Sequence, residues 1–274
     1  MEGLNIPAMR KDGFSLRESH GIRYYTCSAF AKIPGLYHGF STRPGGAPGN
    51  SGSELNLGFT SWDSAERVEK NRRRFLSKVG IGGSQLLTLR QAHSNRVHIV
   101  EQVPGEWNRP EGDALATRLP DLALAVQVAD CLPVLIADRV NRAVAAVHSG
   151  WRGTLSRVLL HTILDMRRVF QSNPSDLLIA VGPGIRNCCM EVGAEVAELF
   201  EKEHSSTVTP GAGAGKYLLD LSKALEIQLN IAGVPAENCF DLGACTRCRT
   251  DEFFSYRAEG TTSGRLLAVI GLTA

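Results

Sequence analysis

The feature that most constrains this chain is the stretch ADCLPVLIADRVNRAVAAVHSGWRGT, residues 129–154, where two apolar runs flank a polar turn from Asp138 to Arg142. Apolar runs joined by so short a polar segment predict an antiparallel hairpin. With the turn centred near Val140, Leu132 faces His148 and Cys131 faces Ser149, so a thiol and an imidazole meet at the open end of one ladder. The runs are continuous rather than alternating, as in strands buried on both faces.

Similar runs at Val97 to Val100, Leu122 to Ala129, Leu177 to Val181 and Leu266 to Ile270 predict further strands. Helical spacing appears in Ser64 to Val79, which Gly80 stops, and in Leu155 to Phe170. It recurs in Val192 to Glu203, with Val196, Leu199 and Phe200 inward, and in Leu221 to Ile231, with Asp220 as N-cap. GGAPGNSGSELNLG, residues 45–58, reads as a long surface loop. Strands interleaved with a few helices predict an α+β fold, a mixed β-sheet or β-sandwich core flanked by helices, in one domain over residues 1–274.

With a net charge of +2, the mixed basic and acidic residues form neither a basic stripe for nucleic acid nor an acidic tail, leaving a small molecule as the expected partner. No run approaches a membrane span or a signal peptide, so a cytoplasmic location is expected. Oligomeric state is not legible. Seven cysteines, an odd number spread over 274 residues, argue against a disulfide framework and leave thiols for metal ligation or nucleophilic chemistry.

A thiolate and an imidazole side by side suit zinc or another borderline-soft ion, and His93 in RQAHSNRVH supplies a third donor. Three protein ligands leave one position open, as in catalytic rather than structural zinc. On spacing alone, His93, Cys131 and His148 also read as unrelated core or surface residues. Next to His148, the turn at Gly150 and Gly153 with Arg152 reads either as a phosphate cradle or as an ordinary strand-to-helix connection. Arg43 is a second candidate anion clamp, and Asp113 and Asp130 read as supporting residues. His98, five residues from His93 on a presumed strand, faces the other way. Cys188, Cys189, Cys239, Cys245 and Cys248 read as core packing or local structure, since one Cys-x-x-Cys lacks a second pair at suitable spacing.

QAHSNRVH, EGDALAT, ADCLPVLIAD, VHSGWRGT, GPGIRNCC and FFSYRAEGTTSGR together resemble the YfiH-like family, whose members are often labelled laccase-domain or polyphenol oxidase proteins. The resemblance runs over about residues 35–272 with the motif order kept. It implies a fold shared with toxin deamidases of the cysteine hydrolase type, and a zinc site falling on His93, Cys131 and His148. The implied activity is phosphorolysis of purine nucleosides such as adenosine, inosine and methylthioadenosine, with adenosine deamination also attributed to such proteins. Phosphate would then sit near the metal and the arginines, whereas deamination would need a proton shuttle such as Asp113, Asp130 or Glu191. A Cys131–His148 hydrolase and a zinc-stabilised nucleotide-binding module are the alternatives. Copper fits less well, because seven histidines without a His-x-His pair do not make a multicopper site.

Overall fold

In the computed structural model, which describes residues 6–49 and 52–274, two six-stranded sheets lie face to face between helices. One sheet runs, in spatial order, through Phe14–Ser19, Ile22–Cys27, Leu36–Ser41, Leu266–Leu272, Leu122–Val128 and Gln85–Leu87. The other runs through Cys239–Asp241, Leu177–Val181, Leu132–Asp138, Ala143–Ser149, Ala114–Thr117 and Val97–Val100. Both are mixed, with parallel pairs only at their edges.

The central strands are apolar throughout because each face meets another layer. Leu135, Ala137, Val144 and Ala146 pack against Leu124, Val126, Ala268 and Ile270 of the opposite sheet. From the same hairpin, Val134, Ile136, Ala145 and Val147 turn to Val158, Leu159 and Ile163 on helix Val158–Phe170 and Leu225 on helix Leu221–Ala232. Beyond the first sheet, Phe75, Leu76 and Val79 of helix Ala65–Val79 cover Ala123, Ala125, Leu267 and Val269. Ser64 caps that helix by accepting from the Arg67 N–H, and Asp220 caps its own by accepting from Lys223.

Several expectations are corrected. The hairpin pairs Leu132 with Ser149 and Pro133 with His148, one residue from the expected register. Its turn closes on the Asp138–Ala143 pair, where Asp138 Oδ1 accepts the N–H groups of Val140 and Asn141 at 2.9 Å and fixes an even-length loop. The Gly/Ser-rich stretch is only in part a surface loop. Pro44–Gly49 pairs with Gly52–Glu54, and Leu55, Asn56 and Leu57 are buried. Gly46 allows the approach, since a Cβ there would stand 1.8 Å from the Glu54 carbonyl oxygen. The helix expected over Leu155 to Phe170 begins three residues late, at Val158, after a break at Arg157, whose φ is 63°. The later helix starts at Ala194, and it buries Ala197 and Phe200 while Leu199 faces out.

Candidate metal centre

The hairpin delivers two of the three expected donors to one end of the second sheet. Cys131 immediately precedes strand Leu132–Asp138, and His148 is near the end of Ala143–Ser149, antiparallel to it. The third, His93, comes from the segment that crosses from Gln85–Leu87 in one sheet to Val97–Val100 in the other. One donor atom from each residue falls within 4.8 Å of the others. Cys131 Sγ is 3.7 Å from His93 Nε2, and the imidazole rings meet edge to face with centroids 4.9 Å apart.

Backbone strain accompanies this convergence. His93 has a φ of 58° and Asp130, just before Cys131, a φ of 93°, both in the left-handed region that disfavours side chains. Asp113 holds the first of these bends: its buried carboxylate accepts the N–H groups of His93 at 3.0 Å and Ser94 at 2.6 Å, together with the Ser94 hydroxyl. It also accepts His148 Nδ1–H at 2.8 Å, which fixes the tautomer and leaves Nε2 as the free donor. Asp130 is pinned by Thr246 Oγ1 on one oxygen and the Arg257 N–H on the other, each at 2.6 Å.

The charges reinforce one another. Burial pushes the Cys131 thiol up, but the facing His148 and His93 outweigh it and bring the pKa down to about 6. Burial likewise lowers His148, and Cys131 with Asp113 more than reverses that, to about 9. Asp113 lies at about 2, its burial outweighed by hydrogen bonds from His148 and Ser94. The site is thus arranged as a thiolate beside imidazoles, a donor set that fits a borderline-soft divalent ion such as zinc. Gly150 completes the cradle, because a Cβ there would stand 2.8 Å from both Cys131 Sγ and His93 Cδ2.

Other candidates fall elsewhere. Arg152 stacks over Trp151 with 4.1 Å between guanidinium carbon and ring centroid, and faces a groove with Lys202 and Glu203. Gly153 is buried against the Ser94 carbonyl rather than at the cavity, and helix Trp151–Leu155 is a single short turn. The expected cradle therefore reduces to Gly150. Arg43 is no anion clamp: its guanidinium is taken by Glu54 and Glu259, both at 2.6 Å, and rests over Phe254. Glu191 is exposed beside Lys216, and Asp113 is saturated with donors, so neither is placed to shuttle protons to a substrate. His98 donates to the Glu111 carbonyl, away from the centre.

The cations beside the centre come from segments that the sequence did not single out as a set. A cavity of about 650 Å³ opens over His93, Cys131 and His148, with Arg90, Arg109, Arg257 and Arg265 on its walls beside Gln127 and Tyr256. Arg257 and Arg265 both lie within the motif FFSYRAEGTTSGR, and Arg90 directly precedes QAHSNRVH. Of the remaining cysteines, Cys239 does pack in the core. Cys245 is buried at the edge of the same core, with Cys189 packed against it and Cys188 and Cys248 exposed, and the four sulfurs gather within 4.8 Å of one another.

Fold and site together define a two-sheet protein with helices outside and a Cys–His centre at one end of the inner hairpin. The family described as "Multi-copper polyphenol oxidoreductase laccase" matches residues 37–273. The chain is 36% identical to a purine nucleoside phosphorylase of Deinococcus radiodurans, over 86% of this chain and 88% of that one. It is also 36% identical to adenosine deaminase RL5, from an unknown prokaryotic organism, over 86% and 94% of the two chains. The crystal structure of YlmD from Geobacillus stearothermophilus superposes with a TM-score of 0.85 at 28% identity, covering 96% of this chain and all of that one. The chain belongs to this laccase-labelled YfiH-like family. Among the described residues, no helix is long and apolar enough to cross a membrane.

Proposed function

We propose that the protein is a zinc-dependent purine nucleoside phosphorylase, acting on substrates such as adenosine and inosine, with adenosine deamination as a further activity of the same centre. The carrying observation is an open three-donor centre in a cavity of about 650 Å³ walled by four arginines. That volume suits a nucleoside. Trp151 and Tyr256 offer aromatic surface for a base, and the Gln127 amide is of the kind that pairs with a polar base edge.

His93, Cys131 and His148 would hold the ion, which when bound supplies Lewis-acid stabilisation of negative charge. The remaining work belongs to the chain. Arg109, Arg257 and Arg265 are the cations available to bind and orient phosphate, with Arg90 shared with Glu111 at 3.0 Å, and they replace Arg43 and Arg152 in that role. A phosphate oxygen bonds to the anomeric carbon as the glycosidic C–N bond breaks; its electron pair leaves on the purine, which takes up a proton. Asp113 keeps His148 in one tautomer, and Gly150 keeps the approach open. Zinc is favoured over a multicopper site because, among the described residues, His93 and His148 are the only imidazoles gathered with a thiol.

A second reading has a specific observation behind it. The Cys131 thiol at about 6 facing His148 at about 9 is a thiolate–imidazolium pair, as a Cys–His hydrolase needs. One experiment separates the readings: purified protein is given inosine and adenosine with and without phosphate, and products are identified. Phosphorolysis yields base and ribose 1-phosphate only with phosphate. Ribose formed without phosphate would favour hydrolysis, and absence of any product would favour a nucleotide-binding module.

A further inference from the structure

Outside the cavity, the protein gathers a second set of sulfurs. Cys188 and Cys189 sit on a tight turn in which the N–H groups of Cys189 and Met190 both reach the Arg186 carbonyl at 2.8 Å. Cys245 and Cys248 sit on another turn, closed by Arg249 N–H to the Cys245 carbonyl. The turns are tied by a backbone bridge between Gly184 and Cys245, and by Thr246 N–H donating to the Gly184 carbonyl. This framework brings all four Sγ atoms within 4.8 Å of one another.

The spacing separates three explanations. A disulfide places its sulfurs about 2.05 Å apart. Here Cys189 Sγ is 3.4 Å and Cys188 Sγ 3.7 Å from Cys248 Sγ, and all four cysteines are free. Apolar packing of thiols is a property of buried cysteines. Cys188 and Cys248 are exposed, unlike Cys239 in the core. Four sulfurs around one ion, each bonded at about 2.3 Å in a tetrahedron, stand about 3.8 Å apart. The observed contacts lie close to that edge length.

We propose that Cys188, Cys189, Cys245 and Cys248 form a second metal site, which binds one zinc ion as a closed tetrathiolate. All four positions of a tetrahedral ion are filled by protein, the pattern of a structural site. Binding releases the thiol protons, and the resulting negative charge has cations at hand. Arg247 Nη1 is 3.9 Å from Cys189 Sγ, and Arg257 Nη1 donates to the Cys189 and Glu191 carbonyls. The backbone N–H groups of Arg186 and Cys248 are directed at Cys245 Sγ. The clamped turns also build the cavity: Ile185 and Met190 line it, and Thr246 and Arg257 hold Asp130 beside Cys131.

The test is metal analysis of the full chain after exhaustive dialysis, comparing wild type with Cys131→Ala and the double variant Cys188→Ala/Cys248→Ala. The expected result is two zinc equivalents in wild type and one in Cys131→Ala. Cobalt loaded into Cys131→Ala should give the intense ligand-field and sulfur-to-cobalt charge-transfer bands of a tetrahedral tetrathiolate. The double variant should lose one equivalent, but Cys131→Ala keeps the proposed site intact, so the outcome does not depend on the double variant folding. A metal-free Cys131→Ala, or an intact mass lighter by two hydrogens with a disulfide mapped among these four cysteines, overturns the proposal. Failure of phosphorolysis would leave this metal count untouched.

Discussion

The two sulfur-bearing clusters are built to opposite plans. The first mixes one thiol with two imidazoles at the end of a buried hairpin and leaves a cavity beside them. The second is all thiol, with two of its four cysteines exposed, on two turns that backbone hydrogen bonds join. Electrostatics follow composition. Burial raises the Cys131 thiol, yet the imidazoles bring it down to about 6. Cys188, exposed as a residue, is still raised by partial desolvation of its sulfur, and there the neighbouring thiols Cys245, Cys248 and Cys189 push it further up. The imidazoles favour the thiolate of Cys131, whereas the all-thiol cluster is split, with Cys188 held up and Cys245 brought down, against its burial, by backbone N–H groups and neighbouring thiols.

The largest expected effect comes from exchanging the damage. Cys131→Ala should lower phosphorolysis by about a thousandfold or more while the tetrathiolate keeps its ion. Cys188→Ala/Cys248→Ala should do the reverse, losing that ion and melting lower while kcat stays within about tenfold. Steady-state kinetics and elemental analysis on the same preparations check both. Loss of both ions from either variant would mean that the clusters are one cooperative unit.

A smaller effect is expected from Asp113→Asn. The change keeps the shape but turns an acceptor saturated by His93, Ser94 and His148 into a group with competing donors. Metal affinity at the first centre should fall by about 10–100-fold, as measured by competition with a chelator, and the tetrathiolate should be unaffected. Unchanged affinity would reduce Asp113 to a loop staple.

The thiols themselves offer a pH test in metal-stripped protein. Because the thiolate is the reactive form, alkylation of Cys131 should rise through about pH 6 and level off above it. Cys188, held up by partial desolvation and neighbouring thiols, should still be gaining reactivity at the alkaline end of the range. At pH 7 most of Cys131 is thiolate against at most a few per cent of Cys188, so labelling should favour Cys131 by more than about thirtyfold, read by peptide mass spectrometry. Coincident profiles would remove the electrostatic contrast.

What was legible in the sequence follows the same division. The hairpin could be read because a long apolar run needs cover on both faces, and the three donors of the first centre, with His93 far upstream of the hairpin, could be named together only through the family resemblance. Register was misread by one residue, since the even-length loop is fixed by Asp138 side-chain hydrogen bonds that hydrophobic pattern does not carry. Arg43 and Arg152 are near the right motifs in sequence, but Glu54 with Glu259 and the Trp151 ring hold them elsewhere. The cavity arginines come from three stretches, Arg90, Arg109 and the motif holding Arg257 and Arg265, so only tertiary structure assembles them. The gathering of the four cysteines was hidden in the sequence for a related reason. Cys188-Cys189 lacks the familiar two-residue spacer, and a tight turn brings adjacent sulfurs to one point instead.

The smallest expected effect tests whether the two regions communicate. Thr246 follows Cys245, and its hydroxyl donates to Asp130 Oδ1 at 2.6 Å, one residue from Cys131. Thr246→Val preserves the buried shape and removes this donor, while Arg257 N–H still holds Oδ2. Leaving one carboxylate oxygen short of a partner costs about 1–3 kcal/mol. Asp130 is already held at a φ of 93°, so that loss should loosen the bend before Cys131 rather than unfold the sheet. The expected result is a KM raised several-fold, with kcat and the metal content of both clusters retained. If KM stays at the wild-type value, the clamp stabilises the wall without tuning the site. If either ion is lost, the hydroxyl belongs to the metal-binding framework itself.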